Sequence, residues 1–144
     1  MTYIFDENLS PRIARALALL DLDVHHVNDE YHTGIKDTDF LPDVGQKGWV
    51  LITCDQHVRT RPLEVDAYRR NGVRAVIMGE QFPNQRLFEQ ARWFFLNWAK
   101  IEAATENCCP GSCFKALHDS VEPLPWELAD EEADRQARTV RRLP

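Results

Sequence analysis

The stretch Met1-Thr-Tyr-Ile-Phe-Asp-Glu-Asn-Leu-Ser10 decides how the chain begins to fold. A short apolar run at residues 3–5 leads directly into two adjacent carboxylates, Asp6 and Glu7. Ser10 and Pro11 follow at once, and they are typical of the N-cap and first residue of a helix. The stretch therefore predicts a β-strand that ends in acid and passes into a helix. In open α/β sheets ligands bind at the carboxyl ends of strands, so we expect Asp6 to lie at a site.

The remainder of the chain repeats this strand–helix order. Further strands are predicted within residues 22–27, 49–54 and 73–78, helices at 37–47 and 63–71, and loops at 28–36 and 79–83. Asp37 and Asn84 are expected to be N-caps, the latter of a longer helix with apolar positions at Leu87, Ala91, Phe94, Phe95 and Trp98. Residues 49–54 form a continuous run that is rich in β-branched residues, as expected of a buried parallel strand. The order predicts a three-layer α/β/α fold around a mainly parallel sheet.

The chain is predicted to be one domain with an extension. Residues 1–101 carry the strand–helix pattern, and residues 102–144 form a C-terminal extension packed on the same domain. The extension begins with a turn rich in cysteine (Cys108, Cys109, Cys113), whose spacing suits a reduced turn better than a zinc site. A strand within 114–121 and a terminal helix at 126–142 are expected to follow.

Composition restricts the class of protein. The 144 residues are 44% apolar and 28% charged, as in an ordinary soluble domain. The formal net charge of −6 argues against a protein that holds nucleic acid by bulk charge alone. No apolar run approaches the roughly 18 residues of a membrane span, and no secretory signal is visible. We therefore expect a cytoplasmic protein without a membrane partner.

Three acids are predicted to meet at one edge of the sheet. Asp6 follows the first strand and Asp55 follows the strand at 49–54. A helix that precedes a parallel strand runs antiparallel to it, so Asp37 begins its helix at that same edge. Carboxylates gathered in this way repel one another unless a cation lies among them, and oxygen ligands favour Mg²⁺ or Mn²⁺. Asp6, Asp37 and Asp55 are thus predicted to be catalytic metal ligands. The alternative is that they are ordinary strand ends and a helix cap.

Other polar residues near these acids are predicted to assist them. The accessory residues are Glu7, Asn8, Asp39 and Thr53, whose hydroxyl could orient a carboxylate or a water. The predicted substrate-binding residues are His57, Arg59 and Arg61. Residues 56–75 hold five arginines against two acids, a basic segment that suits a phosphodiester backbone. For Arg61, an ion pair with Glu64 is an equally good interpretation.

The same segments resemble a known family. Phe-Asp-Glu-Asn-Leu-Ser-Pro at 5–11, Lys-Asp-Thr-Asp-Phe at 36–40, Trp-Val-Leu-Ile-Thr-Cys-Asp at 49–55 and Arg-Thr-Arg-Pro-Leu-Glu at 59–64 resemble PIN-like nuclease domains. The resemblance covers about residues 2–100 and is closest to the branch related to VapC toxins of bacterial toxin–antitoxin pairs. Many relatives have a second Asp at the position of His57, and Glu80 is the nearest acid beyond the fourth strand.

This resemblance implies a Mg²⁺- or Mn²⁺-dependent endoribonuclease, an RNA substrate and a cognate antitoxin protein as partner. By position, Asp6, Asp37 and Asp55 would bind the metal, Asp39 would be accessory and Arg59 would lie beside the site. Two alternatives stay open: a catalytically silent PIN-like scaffold that binds a protein, and a receiver-like phospho-acceptor domain. The aromatic stripe at residues 93–98 suits a core or a homodimer interface.

Overall fold

The computed structural model describes residues 1–56, 58 and 61–125. The predicted terminal helix at 126–142 lies outside the described residues, as do His57 and Arg59. Six strands form one sheet within the described part of the chain, in the order β2-β1-β3-β4-β5-β6. Their bounds are β1 Tyr3–Phe5, β2 Val24–His26, β3 Val50–Thr53, β4 Arg74–Met78, β5 Cys113–Ala116 and β6 Val121–Pro123. The first five pair in parallel and β6 runs antiparallel to β5.

Helices separate the strands along the chain. Their bounds are α1 Pro11–Leu19, α2 Val27–Glu30, α3 Asp37–Lys47, α4 Pro62–Arg70 and α5 Leu87–Thr105, with a 3₁₀ turn at Phe82–Asn84. Ser10 caps α1 as predicted, because its Oγ accepts a hydrogen bond from the Arg12 N–H at 3.2 Å. Gly48 ends α3 in the left-handed conformation, with φ of 71°, which a glycine adopts without steric cost.

Two apolar layers, one on each face of the sheet, hold the molecule together. On one face, side chains of α1 and α5 such as Leu17, Phe94 and Ile101 pack against strand residues that include Phe5 and Ile52. On the other face, α3 and α4 cover the alternate strand residues, among them Ile4, Leu51 and Ile77. Successive residues of a strand point to opposite faces, so the short strands are buried on both sides. The predicted three-layer α/β/α fold is confirmed.

Several local predictions were wrong. Residues 28–30, expected in a loop, and Val27, expected in the second strand segment, form α2, in which the His26 ring nitrogen Nδ1 accepts a hydrogen bond from the Asn28 N–H. Lys36 rather than Asp37 is the N-cap of α3, and Asp37 is its first helical residue. Asn84 lies in the 3₁₀ turn, while the N-cap of α5 is Arg86, which makes no side-chain capping bond.

The segment after α5 adds two strands where the sequence predicted one. Cys113–Ala116 extends the parallel sheet beside β4, and Val121–Pro123 turns back along it. All four cysteines are free thiols. None of the helices in residues 1–56 and 61–125 combines the length and apolar composition that crossing a membrane requires.

Candidate functional site

The carboxyl edge of the sheet receives acids from three different elements. Asp6 follows the last residue of β1, and its backbone N–H donates to the Ile52 carbonyl at 3.0 Å, which ties it to β3. Asp55 lies two residues beyond the end of β3, and Asp37 opens α3. Because β1 and β3 are neighbouring parallel strands, their carboxyl ends lie side by side. The structure thus brings Asp6 and Asp55 to one edge, as the sequence predicted.

Thr53 links the two strand ends through its hydroxyl group. The Thr53 Oγ1 donates to Asp6 Oδ2 at 3.0 Å and accepts from the Asp55 backbone N–H at 3.0 Å. It also accepts from Asn8 Nδ2 at 3.3 Å, and Asn8 Oδ1 accepts from the Cys54 N–H at 3.1 Å. The Glu7 N–H donates to Asp6 Oδ1 at 2.9 Å. Both Asp6 oxygens are therefore held, and the Asp6 side chain is fixed relative to the backbone of Asp55.

The acids at this edge perturb one another. Burial raises the pKa of Asp6 above its ordinary value, and the charges of Asp37 and Glu7 raise it further, against the hydrogen bonds from the Glu7 N–H and Thr53. The pKa of Asp37 is raised by burial and then by the charges of Asp55 and Glu7. Asp6, Asp37 and Asp55 thus interact through space. The site carries a negative potential that the described residues do not neutralise at Asp6 or Asp37.

A tyrosine and a glutamate of α4 belong to the same region, although the sequence did not single them out for it. Tyr68 is buried, and burial raises the pKa of its hydroxyl, with the charges of Asp6, Asp37, Asp55 and Glu64 adding to the effect. A cavity of about 340 Å³ between α3 and α4 is lined by Asp37 and Glu64. Glu64 and Tyr68 are four residues apart, so they share a helix face. This spacing of four residues was the feature of the sequence that could have placed Glu64 and Tyr68 together.

The remaining predicted site residues divide into three groups. Asp39 is exposed in the first turn of α3, and Glu7 is exposed beside Asp6. The Arg61 guanidinium lies 3.5 Å from the Glu64 carboxylate and is more than half exposed, so the structure shows the ion pair that was one of its two interpretations. His57 and Arg59 lie outside the described residues. Of the predicted accessory residues, Thr53 and the Glu7 N–H contact Asp6, and Asn8 contacts Thr53. No contact joins Asp39 to these acids among the described residues.

The carboxylates at this edge are of the ligand type that a hard divalent cation takes, but in the described part of the chain they do not converge on one point. Carboxylate oxygens from three elements are the ligands that Mg²⁺ and Mn²⁺ take in proteins, and their mutual repulsion is what a cation offsets. Among the described residues, no three His, Cys, Asp or Glu side chains are grouped closely enough to hold a metal ion. Burial and the charge of Asp6 raise the pKa of the neighbouring Cys54 thiol to about 12.

Thr53→Val is expected to loosen this arrangement without creating a cavity, because valine has nearly the same shape as threonine. The change removes the hydroxyl from Asp6 Oδ2, from the Asp55 N–H and from Asn8, and an unsatisfied partly buried group costs about 1–3 kcal/mol. We expect urea unfolding to show a loss of about 2 kcal/mol. Thr53→Ser should restore most of it. Equal stability of the Val and Ser variants would contradict the role given to the hydroxyl.

These features define a class: a three-layer α/β protein with an acidic site at the carboxyl edge of its parallel strands. A family model described as PIN like domain matches residues 1–80. The match covers more than half of the 144 residues, and it includes β1–β4 and every acid of the site. The chain belongs to the PIN-like domain family. No curated protein and no solved structure gave a significant match.

Proposed function

We propose that this protein is a Mg²⁺- or Mn²⁺-dependent endoribonuclease and the toxin of a toxin–antitoxin pair. The observation that carries the proposal is the junction of Asp6 and Asp55 through Thr53, with Asp37 within electrostatic reach of both. A purely structural strand end has no need to hold a carboxylate whose ionisation is penalised by burial and by like charge. Membership in the PIN-like domain family supports the same function.

Asp6, Asp37 and Asp55 would hold the cation. When bound, a divalent cation stabilises charge on a phosphodiester and lowers the pKa of a water molecule. The chain's own contribution is orientation, because Thr53 and the Glu7 N–H fix both oxygens of Asp6. Asn8 in turn holds Thr53 and the Cys54 backbone. Restricting the acids in this way reduces the entropy lost when cation and substrate bind.

Substrate contacts are proposed for the basic segment that follows β3. Arg61 is exposed at the start of α4 and pairs weakly with Glu64, at 3.5 Å. An exposed ion pair of this kind is worth about 0–1 kcal/mol, so the guanidinium can exchange its carboxylate for a phosphate at little cost. His57 and Arg59 are proposed to contribute from the same segment. Asp37 and Glu64 line the cavity between α3 and α4. RNA would approach from this side, because the arginine side chains of the basic segment would offset the negative charge of the acids.

The receiver-like alternative is not favoured by the end of β4. A phospho-acceptor of that class needs a hydroxyl residue there, and β4 ends in Met78 followed by Gly79.

The silent PIN-like scaffold differs from the nuclease in one measurable respect. It should bind no Mn²⁺ in a manner that depends on Asp6 and Asp55, which titration calorimetry can determine.

Asp55→Asn tests the proposal on purified full-length protein with Mn²⁺ and a panel of single-stranded and structured RNAs. We expect wild type to cleave, EDTA to stop cleavage, and the variant to be slower by roughly 10²–10³-fold, because about 3–4 kcal/mol of charge stabilisation is lost. Asp66→Asn is the matched control, since Asp66 is an exposed acid of α4 paired with Arg70. RNA left intact by wild type, or equal rates for the two variants, would overturn the proposal.

A companion experiment tests the toxin assignment. Induced expression of wild type should arrest growth, and Asp55→Asn should not. Co-expression of a small neighbouring open reading frame should restore growth if it encodes the antitoxin. Cleavage in vitro together with harmless expression would retain the nuclease and reject the toxin.

A further inference from the structure

The outward face of α5 carries large apolar side chains that nothing in the described part of the chain covers. Phe88 is 73% exposed, Leu96 67% and Phe95 48%. Ala99 and Ala103 are also exposed. At 100° per residue these five positions fall within one arc of the helix. A contiguous apolar surface of this kind is typical of an interaction site.

The same helix already has a complete inner face. Phe94, Trp98 and Ile101 are buried against the sheet. A helix of a soluble protein normally has one apolar stripe and a polar opposite side. α5 has apolar residues on both sides, so its sequence meets a second requirement beyond packing on the sheet. Packing on the sheet explains the inner apolar face of α5 but not the outer one, so the outer face has a separate role.

Charges on this face are arranged so that the face complements itself. Arg92, Ala99 and Glu106 are spaced by seven residues, so they lie along one line of the helix. Glu106 still has helical dihedral angles and its N–H donates to the Glu102 carbonyl, so it continues that line. The basic residue lies toward the start of α5 and the acidic residue at its end. An antiparallel copy of the same helix would bring each charge opposite its complement.

We propose that a second copy of this chain docks on the outer face of α5 in an antiparallel, two-fold arrangement centred on Ala99. A two-fold axis places residue 99+k of one helix opposite residue 99−k of the other. Arg92 then faces Glu106, ten to eleven ångströms from the centre at about 1.5 Å per residue. Phe95 faces Ala103, so a large side chain meets a small one, and Ala99 meets its own copy where the helices are nearest.

The contacts that Arg92 already makes do not prevent it from pairing with Glu106 of a second copy. Arg92 lies 3.7 Å from Glu89 in an exposed ion pair, which is weak and easily exchanged. The face belongs to the side of the sheet covered by α1 and α5, whereas Asp37, Glu64 and Tyr68 belong to α3 and α4 on the other side. A partner on α5 would therefore leave the acidic edge accessible. The proposed interface is independent of the proposed function.

Sedimentation of the full chain over a range of concentrations tests the proposal. We expect wild type to be a dimer, and Leu96→Glu to weaken the dimer by about 30-fold or more, because a charge replaces an apolar side chain within the interface. Leu19→Glu is the matched control, since Leu19 is an exposed leucine of another helix, α1. Circular dichroism establishes that each variant is folded.

Charge reversal identifies the partner and the register. Arg92→Glu alone, and Glu106→Arg alone, should each weaken the dimer by about tenfold, because each change creates two like-charge contacts in a two-fold interface. The double variant should restore it. A wild type that stays monomeric at about 100 µM, a dimer insensitive to Leu96→Glu, or a double variant without rescue would overturn the proposal. So would a monomer destabilised by Leu96→Glu, which would indicate that residues 126–144 cover this face.

Discussion

Asp6→Asn is expected to reduce Mn²⁺-dependent RNA cleavage by roughly 10³-fold, equivalent to about 4 kcal/mol of lost transition-state stabilisation. The substitution keeps the size of the side chain but only one of its two acceptor oxygens, so it retains one of the two hydrogen bonds from the Thr53 hydroxyl and the Glu7 N–H. What it removes is a negative charge at the centre of the proposed cation site. Cleavage rates at saturating Mn²⁺, compared with those of Asp66→Asn, measure the effect.

The same variant should be more stable than wild type in metal-free buffer, which separates loss of function from loss of fold. The pKa of Asp6 is raised by burial and by nearby acids, so the folded state binds its proton more tightly than the unfolded chain does. Stability contributed by that proton is present below the unfolded pKa of 3.8 and is lost as pH rises through the raised value. Asparagine has no such proton to lose.

The stability difference between Asp6→Asn and wild type should therefore grow as pH rises above the ordinary pKa of 3.8 and through the raised pKa of folded Asp6. Urea unfolding with EDTA at several pH values measures it, and subtraction removes the contributions of other carboxylates. Adding Mn²⁺ should reduce the difference, because a cation that binds the folded wild type stabilises it. A variant that is less stable than wild type at neutral pH would show that ionised Asp6 is a structural group.

The sequence predicts the sheet well because burial on both faces leaves a clear signal. Residues 49–52 are apolar at every position, as is typical of a strand covered on both sides. The position of Asp37 followed from direction alone, since a helix that leads into a parallel strand begins at the carboxyl edge. Both inferences depend only on the residues within one segment and on the order in which segments follow one another along the chain.

Features that depend on contacts between distant segments were not predictable in this way. His26 caps α2 with its ring nitrogen, and its Nε2 lies 2.7 Å from the Leu9 carbonyl, a contact set by how β2 lies beside β1. Tyr68 approaches the acids because of how α4 is rotated on the sheet. The sequence alone shows that Glu64 and Tyr68 share a helix face, but not which way that face points.

Helix α5 shows the same limit at neighbouring positions. The sequence assigned Phe94 and Phe95 alike to one apolar stripe, yet Phe94 is fully buried and Phe95 is about half exposed. A turn of 100° separates adjacent residues, so both cannot face the sheet fully. Which of them does depends on where Trp98 and Ile101 find space below the helix.

Phe94→Ala is expected to lower the free energy of unfolding by about 3–5 kcal/mol, the usual cost of removing a buried phenylalanine. Its ring lies 4.9 Å from that of Phe5 and 5.5 Å from that of Phe82, measured between centroids. Domains of this size have about 5–15 kcal/mol in total, so this one change can remove a large fraction. Urea unfolding of the full chain measures the loss.

Phe95→Ala is the neighbouring control. It should change the free energy of unfolding by less than about 0.5 kcal/mol when the protein is dilute enough to be monomeric, because its ring is partly in water already. Phe94→Leu should fall between the two, since it retains most of the buried volume. Phe5 immediately precedes Asp6, so the cavity left by Phe94→Ala lies beneath the strand end that holds the site. Cleavage by this variant should therefore decline at a lower temperature than cleavage by Phe95→Ala, and equal stabilities for the two would show that α5 is rotated differently on the sheet.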